Sequence, residues 1–413
     1  MLTVEKQVKT QDAAEAAKQK AALYGDKADC CGCGACAACC GRGVISMEAD
    51  GEGFLYPRVT APSRCVGCGR CDAVCPVQHA DEIHSQFTAA YAGWCTDGSA
   101  VRSASGGAAY ALAKLVLSMG GVVYGVRYTD DCRAAVYTRA ETEAALAATR
   151  TSKYIQAIKG DVYLQVKADL DAERRVLFVG LPCDTYAMKR FVGAGCGDLL
   201  VTVSLICHGP TSAAVHSAYL AALEKKYQSA ATEINVRYKK DGHWKPYYIR
   251  ARFASGAESL QKFQATDYDA AFQQFKRPSC SACRFRGDKF AADLLIGDFH
   301  SVEKGTALYH EEGVSSLLPL TPAGEAMLMQ LGDSFVLHKA DLARSISQRA
   351  VHSSVRATID RAAFVSALRT GGLHAACRTP DMRRQKWETK KRRAVFSVKR
   401  GVYRILKRLR IVR

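Results

Sequence analysis

Eight cysteines between residues 30 and 75 constrain this chain more than any other feature of its 413 residues. Cys30, Cys33, Cys36 and Cys40 follow one another as C-x2-C-x2-C-x3-C. Cys65, Cys68, Cys71 and Cys75 repeat the same intervals, and Pro76 follows the last of them. A chain that returns a thiol to one point every third residue must wrap tightly. Gly32, Gly34, Gly67 and Gly69 stand between the cysteines, where their freedom of backbone angle is needed.

This spacing is that of bacterial ferredoxins with two [4Fe–4S] clusters, in which the fourth cysteine of each run ligates the other cluster. It predicts one cluster on Cys30, Cys33, Cys36 and Cys75, and a second on Cys65, Cys68, Cys71 and Cys40. Paired C-x2-C units also build zinc sites, but zinc takes four thiolates per ion and rarely interleaves two sets of three plus one. Cys31 and Cys39 are left over inside the runs. Gly41 stands where such proteins usually have Pro, which loosens the turn after Cys40 and removes no ligand.

The length allows two or three domains with a proper core. Eighteen cysteines mean either disulfides or metal. Met1 to Tyr24 is rich in Lys, Gln, Glu and Ala and lacks the apolar centre of a secretory signal. A cytoplasmic setting is therefore expected, where clustered thiols bind metal rather than pair. The most apolar stretch, Ala108 to Val126, contains Lys114 and Gly120-Gly121 and reads as a helix followed by a buried strand, not a membrane span.

The net charge of +18 is concentrated at the end of the chain: residues 383–413 hold fourteen Lys/Arg against Glu388. Val395, Val398, Val402, Leu406, Leu409 and Val412 recur there at helical spacing among basic residues. Such a basic amphipathic tail suits an anionic membrane surface, on the inner face of the membrane, or a partner protein; a solvated helix is the plainer alternative. No base-reading motif accompanies the charge, so no nucleic-acid partner is expected.

Five segments are predicted. They are a lead-in helix over 1–25, a two-cluster ferredoxin domain over 26–88, a mixed-sheet α/β domain over 89–332, a helical extension over 333–382, and the basic tail over 383–413. The fold class is thus mixed α/β (α+β), with a ferredoxin-like N-terminal unit. Within the large domain, strands are predicted at Tyr91–Trp94, Gly121–Val126, Arg175–Val179, Leu199–Ile206, Ile234–Tyr238, Tyr248–Phe253 and Leu294–Ile296. Helices are predicted at Ala108–Met119, Asp161–Ala172, Thr185–Phe191, Thr211–Lys226, Ala270–Phe275 and Ala323–Gln330.

Ser105-Gly106-Gly107 opens the first of these helices, where small residues either leave N–H groups for a cofactor phosphate or act as ordinary caps. A third group of cysteines lies at strand ends and in one loop: Cys183, Cys207, Cys280 and Cys283. Strand ends gather ligands in α/β sheets, so these four are candidates for a further [4Fe–4S] centre, buried free cysteine being the alternative. His208, beside Cys207, is either a structural histidine or a proton carrier. Cys95, Cys132, Cys196 and Cys377 show no partnering pattern.

Several segments resemble, in order, the coenzyme F420 hydrogenase/dehydrogenase beta-subunit family in the version with an N-terminal ferredoxin domain. They are Ser105-Gly106-Gly107, Gly120 to Gly125, Thr151 to Gln156, Val176 to Cys183, Ile206-Cys207-His208-Gly209, Arg277 to Cys283 and Gly297-Asp298-Phe299. The resemblance implies a flavin, usually FAD, beside a [4Fe–4S] cluster on Cys183, Cys207, Cys280 and Cys283. It implies flavin contacts at Ser105, Gly106, Gly107, Ser152, Lys153, Tyr154 and Gln156, with Lys153 a cation suited to the reduced ring. Leu181 stands where the family commonly has Thr, and His300 where it often has an aromatic residue.

The expected activity is that of an iron–sulfur flavoprotein oxidoreductase. It would pass electrons between the ferredoxin clusters, a third cluster and FAD, with hydride transfer to or from an organic acceptor such as coenzyme F420. A redox partner protein is expected beside it. The alternative is a non-catalytic electron-transfer subunit or adaptor of a larger complex. No catalytic residue is assigned.

Overall fold

The computed structural model describes residues 23–354 and 358–408. The lead-in helix expected over 1–25 thus falls almost wholly outside the described residues, as do Leu409 and Val412 of the tail.

The N-terminal unit is built on its glycines. Gly34 and Gly69 take left-handed backbone angles (φ 78° and 69°) and open two single-turn helices, α1 (Ala35–Ala38) and α2 (Arg70–Ala73), each inside a cysteine run. Between them β1 (Ile45–Ala49) and β2 (Leu55–Val59) form an antiparallel hairpin. The Asp50 carboxylate closes its turn by accepting the backbone N–H groups of Glu52 and Phe54, both at 3.0 Å.

A large mixed sheet follows, with strand order β14-β3-β13-β12-β8-β7-β4-β5-β6. Its centre is parallel: β4 (Val122–Tyr128), β7 (Val176–Gly180), β8 (Leu200–Leu205) and β12 (Leu294–Asp298) run together. Val176-Leu177-Phe178 is a continuous buried apolar run, as a strand covered on both faces must be. The flanks are β3 (Tyr91–Cys95), β13 (Ser315–Pro319) and β14 (Phe335–Lys339) on one side, with β5 (Ala135–Ala140) and β6 (Ala157–Ile158) on the other. α3 (Ala108–Ser118), α4 (Glu143–Ala147), α5 (Val162–Asp171) and α6 (Pro182–Val192) cover this sheet.

A separate antiparallel sheet, β9 (Ala231–Tyr238), β10 (Tyr248–Phe253) and β11 (Glu258–Lys262), packs against α7 (Ala213–Tyr227) and α8 (Asp267–Gln274). The same apolar core takes in Phe54 and Tyr56 of the N-terminal hairpin and Phe364 of a C-terminal helix. The cysteine-rich unit is therefore packed into the larger domain through a shared core.

The strands and helices expected between residues 91 and 330 form within a few residues of their predicted ends, so the mixed α/β class holds. β5, β6, β11 and β13 were not anticipated. The stretch 333–382, expected to be helical, begins instead with β14, which pairs with β3 and completes the sheet. Four helices follow α9 (Pro322–Met329) and β14: α10 (Leu342–Ser345), α11 (Arg349–His352), α12 (Arg361–Ala376) and α13 (Pro380–Arg408). Arg361 of α12 forms an ion pair with Glu52 at the hairpin turn, and Phe364 stacks on Phe275 at 4.4 Å. On α13, Lys386 reaches Asp267 at 2.5 Å, while Val395, Val398 and Val402 are exposed. No helix among the described residues is long and apolar enough to cross a membrane.

Candidate functional site

The fold draws the cysteines into three neighbourhoods. Burial, then the charges of Cys33, Cys30, Cys75 and Cys39, push the Cys36 thiol far above its ordinary range, so Cys36 has sulfurs of both runs around it. Cys71 lies beside Cys68, and burial with Cys71, Cys40 and Cys68 brings Cys39 up to about 12. Within that pair of adjacent cysteines the roles differ: the Cys39 thiol donates to the Cys36 carbonyl at 3.3 Å, while the Cys40 sulfur accepts the Val44 N–H at 3.4 Å.

The third neighbourhood forms where β7 and β8 end. Cys183 opens α6, Cys207 follows β8, and Cys280 and Cys283 lie at a single-turn helix, Pro278–Ala282, and its end. All four line one small cavity of about 50 Å³, and Cys31 from the first run lines it too. Burial, then Cys207 and Cys283, raise Cys280 to about 12. The Gly209 N–H donates to the Cys207 sulfur at 3.2 Å. Gly209 has φ 92°, and a side-chain carbon there would meet the Cys280 sulfur at 3.1 Å, so the glycine keeps the space beside that thiol open.

The third set, gathered on one cavity, fits an iron–sulfur cube, and of the second set Cys40, Cys68 and Cys71 lie around Cys39. Cys36 and Cys280, raised by burial and neighbouring thiols, stay protonated near neutral pH unless a metal replaces the proton. No three His, Cys, Asp or Glu side chains among the described residues close on a point as a single-ion site requires. A cube asks for wider spacing, because each thiolate meets a different iron.

A second cavity, of about 450 Å³, opens at the C-terminal ends of β4, β7, β8 and β12, the usual ligand position in a parallel sheet. Ser105, Gly107, Ser152, Lys153 and Tyr154 line it, as do Cys207 and His208. Two expected flavin contacts lie elsewhere. Gly106 packs against the Gly93 carbonyl. Gln156 turns to the N-terminal unit, donating to the Gly32 carbonyl at 3.0 Å and accepting the Leu55 N–H at 3.2 Å.

Lys153 is buried, and its ammonium donates to the carbonyls of Ala148, Arg150 and Thr151 at 3.3, 2.5 and 3.1 Å. Burial brings its pKa down to about 7. The loop around it is strained. Thr151 and Tyr154 both have left-handed backbone angles (φ 65° and 59°), which cost on the order of 1 kcal/mol each. The hydroxyls of Ser103 and Ser105 are already spent on the carbonyls of Ser99 and Val314, at 2.9 and 2.7 Å.

The most elaborate polar group of the cavity was not singled out from sequence. Arg237, on β9 and 7% exposed, donates to Asp298 at 2.8 Å, the Tyr154 hydroxyl at 2.9 Å and the Ala104 carbonyl at 2.8 Å. The Tyr247 hydroxyl donates to the same Asp298 oxygen at 3.3 Å. Burial alone would raise the Asp298 carboxyl, but the Arg237 guanidinium overrides it and holds it below the ordinary carboxylate range. The Nε atoms of Arg237 and of Arg150, which also lines the cavity, are buried without a partner among the described residues. A charged residue inside a strand was the available signal, and it is a weak one.

A parallel-centred α/β domain with a roomy cleft at its strand ends, a strained basic loop and a pocket of thiols beside it has the form of a cofactor-holding domain. Comparison with known families agrees. Residues 173–344 match the family described as the C terminus of the coenzyme F420 hydrogenase/dehydrogenase beta subunit. No curated protein matches the chain. Among solved structures, a chain of the F420-reducing [NiFe] hydrogenase complex from Methanosarcina barkeri, solved as a xenon derivative, aligns at 15% identity with a TM-score of 0.44. The alignment covers 65% of this chain and 90% of that one.

Proposed function

We propose that the chain is an iron–sulfur flavoprotein oxidoreductase that moves electrons between three [4Fe–4S] centres and a flavin, with a hydride acceptor such as coenzyme F420. One observation carries this reading: the third cysteine set and the 450 Å³ cavity share the end of β8, with Cys207 lining both cavities.

When bound, the iron–sulfur groups move single electrons and the flavin stores a pair. The chain's own residues supply the rest. Cys30, Cys33, Cys36 and Cys75, then Cys40, Cys65, Cys68 and Cys71, and then Cys183, Cys207, Cys280 and Cys283, would each give up thiol protons to hold a centre. The unpartnered Nε donors of Arg150 and Arg237 suit an anionic group such as a diphosphate. Asp298 and Tyr154 fix the plane of Arg237. Val179, Leu205 and Ile296 line the cleft with apolar surface that keeps water from the reacting groups. His208 borders both the cleft and Cys207, where an imidazole can hold or pass a proton.

Iron and flavin analysis of anaerobically prepared protein tests this. About twelve irons and one flavin per chain support the enzyme; about eight irons and no flavin support an electron-carrying subunit instead. Reduction of F420 by the loaded protein, compared with other acceptors, tests the substrate. The exposed valines on the basic helix α13 suit a docking role on a redox partner or an anionic membrane.

A further inference from the structure

Arg277 is 1% exposed and ranks among the largest fully buried side chains. It belongs to the loop that carries Cys280 and Cys283, yet its guanidinium reaches the other cysteine-rich unit. Nε donates to the Cys30 carbonyl at 2.7 Å, and Nη1 donates to the Leu55 carbonyl at 2.9 Å and to Oε1 of Gln156 at 3.0 Å. Nη2 points at the Cys30 sulfur, 3.5 Å away, and the guanidinium carbon lies 3.9 Å from the centre of the Tyr56 ring.

Every one of these partners is neutral apart from the sulfur, and no carboxylate among the described residues pairs with Arg277. A guanidinium taken out of water costs several kcal/mol unless an anion compensates it. Burial keeps the Tyr56 phenol protonated, which leaves Cys30 as the contact able to become an anion. The sequence makes room for the arrangement: Gly32 has φ 70°, and a side-chain carbon there would collide with Gln156 and come within 2.6 Å of Nη1.

We propose that Arg277 is a positioning and charge-tuning residue for the centre on Cys30, Cys33, Cys36 and Cys75, and that its buried cation makes this centre easier to reduce than the one on Cys40, Cys65, Cys68 and Cys71. The proposal rests on the iron–sulfur reading above and adds an ordering to it. Reduction adds negative charge to a cluster, and a nearby cation in a low-dielectric setting stabilises that added charge. Arg70, which acts on Cys39 beside the second set, is exposed and therefore screened by water and salt.

The test is a redox titration of the anaerobic full-length protein, loaded with iron and sulfide and followed by electron paramagnetic resonance. Iron content is measured first. Wild-type protein that takes up no iron would defeat the cluster reading itself, separately from this inference. With about twelve irons bound, Arg277→Gln is expected to keep its iron and to move one midpoint potential downward, leaving the others in place. Arg277→Lys, which keeps a charge, is expected to restore most of that shift. Unchanged potentials in fully loaded Arg277→Gln protein would overturn the proposal. If Arg277→Gln does not hold its iron, Gln156→Leu decides, since it removes one anchor of the guanidinium and keeps the charge. A smaller downward shift in one centre supports the assignment, and none overturns it.

Discussion

Cys31 and Cys183 line the same small cavity across the junction between the N-terminal cysteine runs and the end of β7. Cys31 also acts electrostatically on Cys33, two residues along the first run. A thiol outside the C-x2-C-x2-C-x3-C spacing thus lies beside one expected ligand of each of two centres. Removing it should leave every ligand in place. Cys31→Ala is expected to retain the wild-type iron content, whereas Cys183→Ala should lose about four irons per chain. Iron and sulfide analysis of the two variants, prepared side by side without oxygen, checks this. Equal iron loss in both would make Cys31 a ligand.

Arg237 and Asp298 form a buried pair, 7% and 10% exposed at their side chains. Breaking such a pair from one side leaves an uncompensated charge, at a cost of about 3–5 kcal/mol. Asp298→Ala should therefore lower stability by about that amount in denaturant unfolding. It should also weaken flavin retention, because Arg237 loses the partner that fixes its plane. Full stability with full flavin content would show that the pair neither supports the fold nor orients the cleft.

Lys239 is 4% exposed and donates to the carbonyls of Ala100 and Ser105 at 2.5 and 2.7 Å. Burial, with the Arg237 charge adding to it, brings its pKa down to about 7. In the unfolded chain a lysine titrates near 10.4. Between these values the unfolded state binds more protons than the folded one, so this residue makes stability rise with pH from about 7 toward 10. Below about 7 both states are protonated and the contribution is flat. Melting temperatures at pH 7 and pH 9 should therefore differ less in Lys239→Met than in the wild type. An identical pH slope in the two proteins would rule this out.

Phe364 on α12 is fully buried and stacks on Phe275. Its truncation to Ala should cost about 3–5 kcal/mol, the usual range for a core phenylalanine. A chain ending at residue 332 would lose both this contact and β14, and it is expected to be insoluble or unfolded. A soluble, well-folded protein of that length would mean that the C-terminal region is an appendage.

The cysteine runs and the parallel strands were legible because their signals are local. Thiol spacing is read directly, and Val176 to Val179 is apolar without interruption. Gln156 was not legible: it lies three residues from Lys153 in a loop expected to face one cofactor, and the reversal of its side chain toward Gly32 depends on a contact between distant parts of the chain. Arg237 sits in a strand directly after the buried Val236, and nothing in the local sequence distinguishes a clefted arginine from a surface one. β14 escaped because its five residues, Phe335–Lys339, pair with a strand at the far end of the domain, and short strands at a sheet edge leave little periodicity to read.

Phe54 and Tyr56 have their rings in the same apolar core as α7, α12 and the three-stranded sheet. Swinging the cysteine-rich unit outward would drag two aromatic rings into water, and that forbids a shuttle in which a tethered carrier travels between donor and acceptor. Delivery must happen in place. Under the proposed function, a donor would reach the chain at the face where Cys68 is exposed, and later steps would run inside one body.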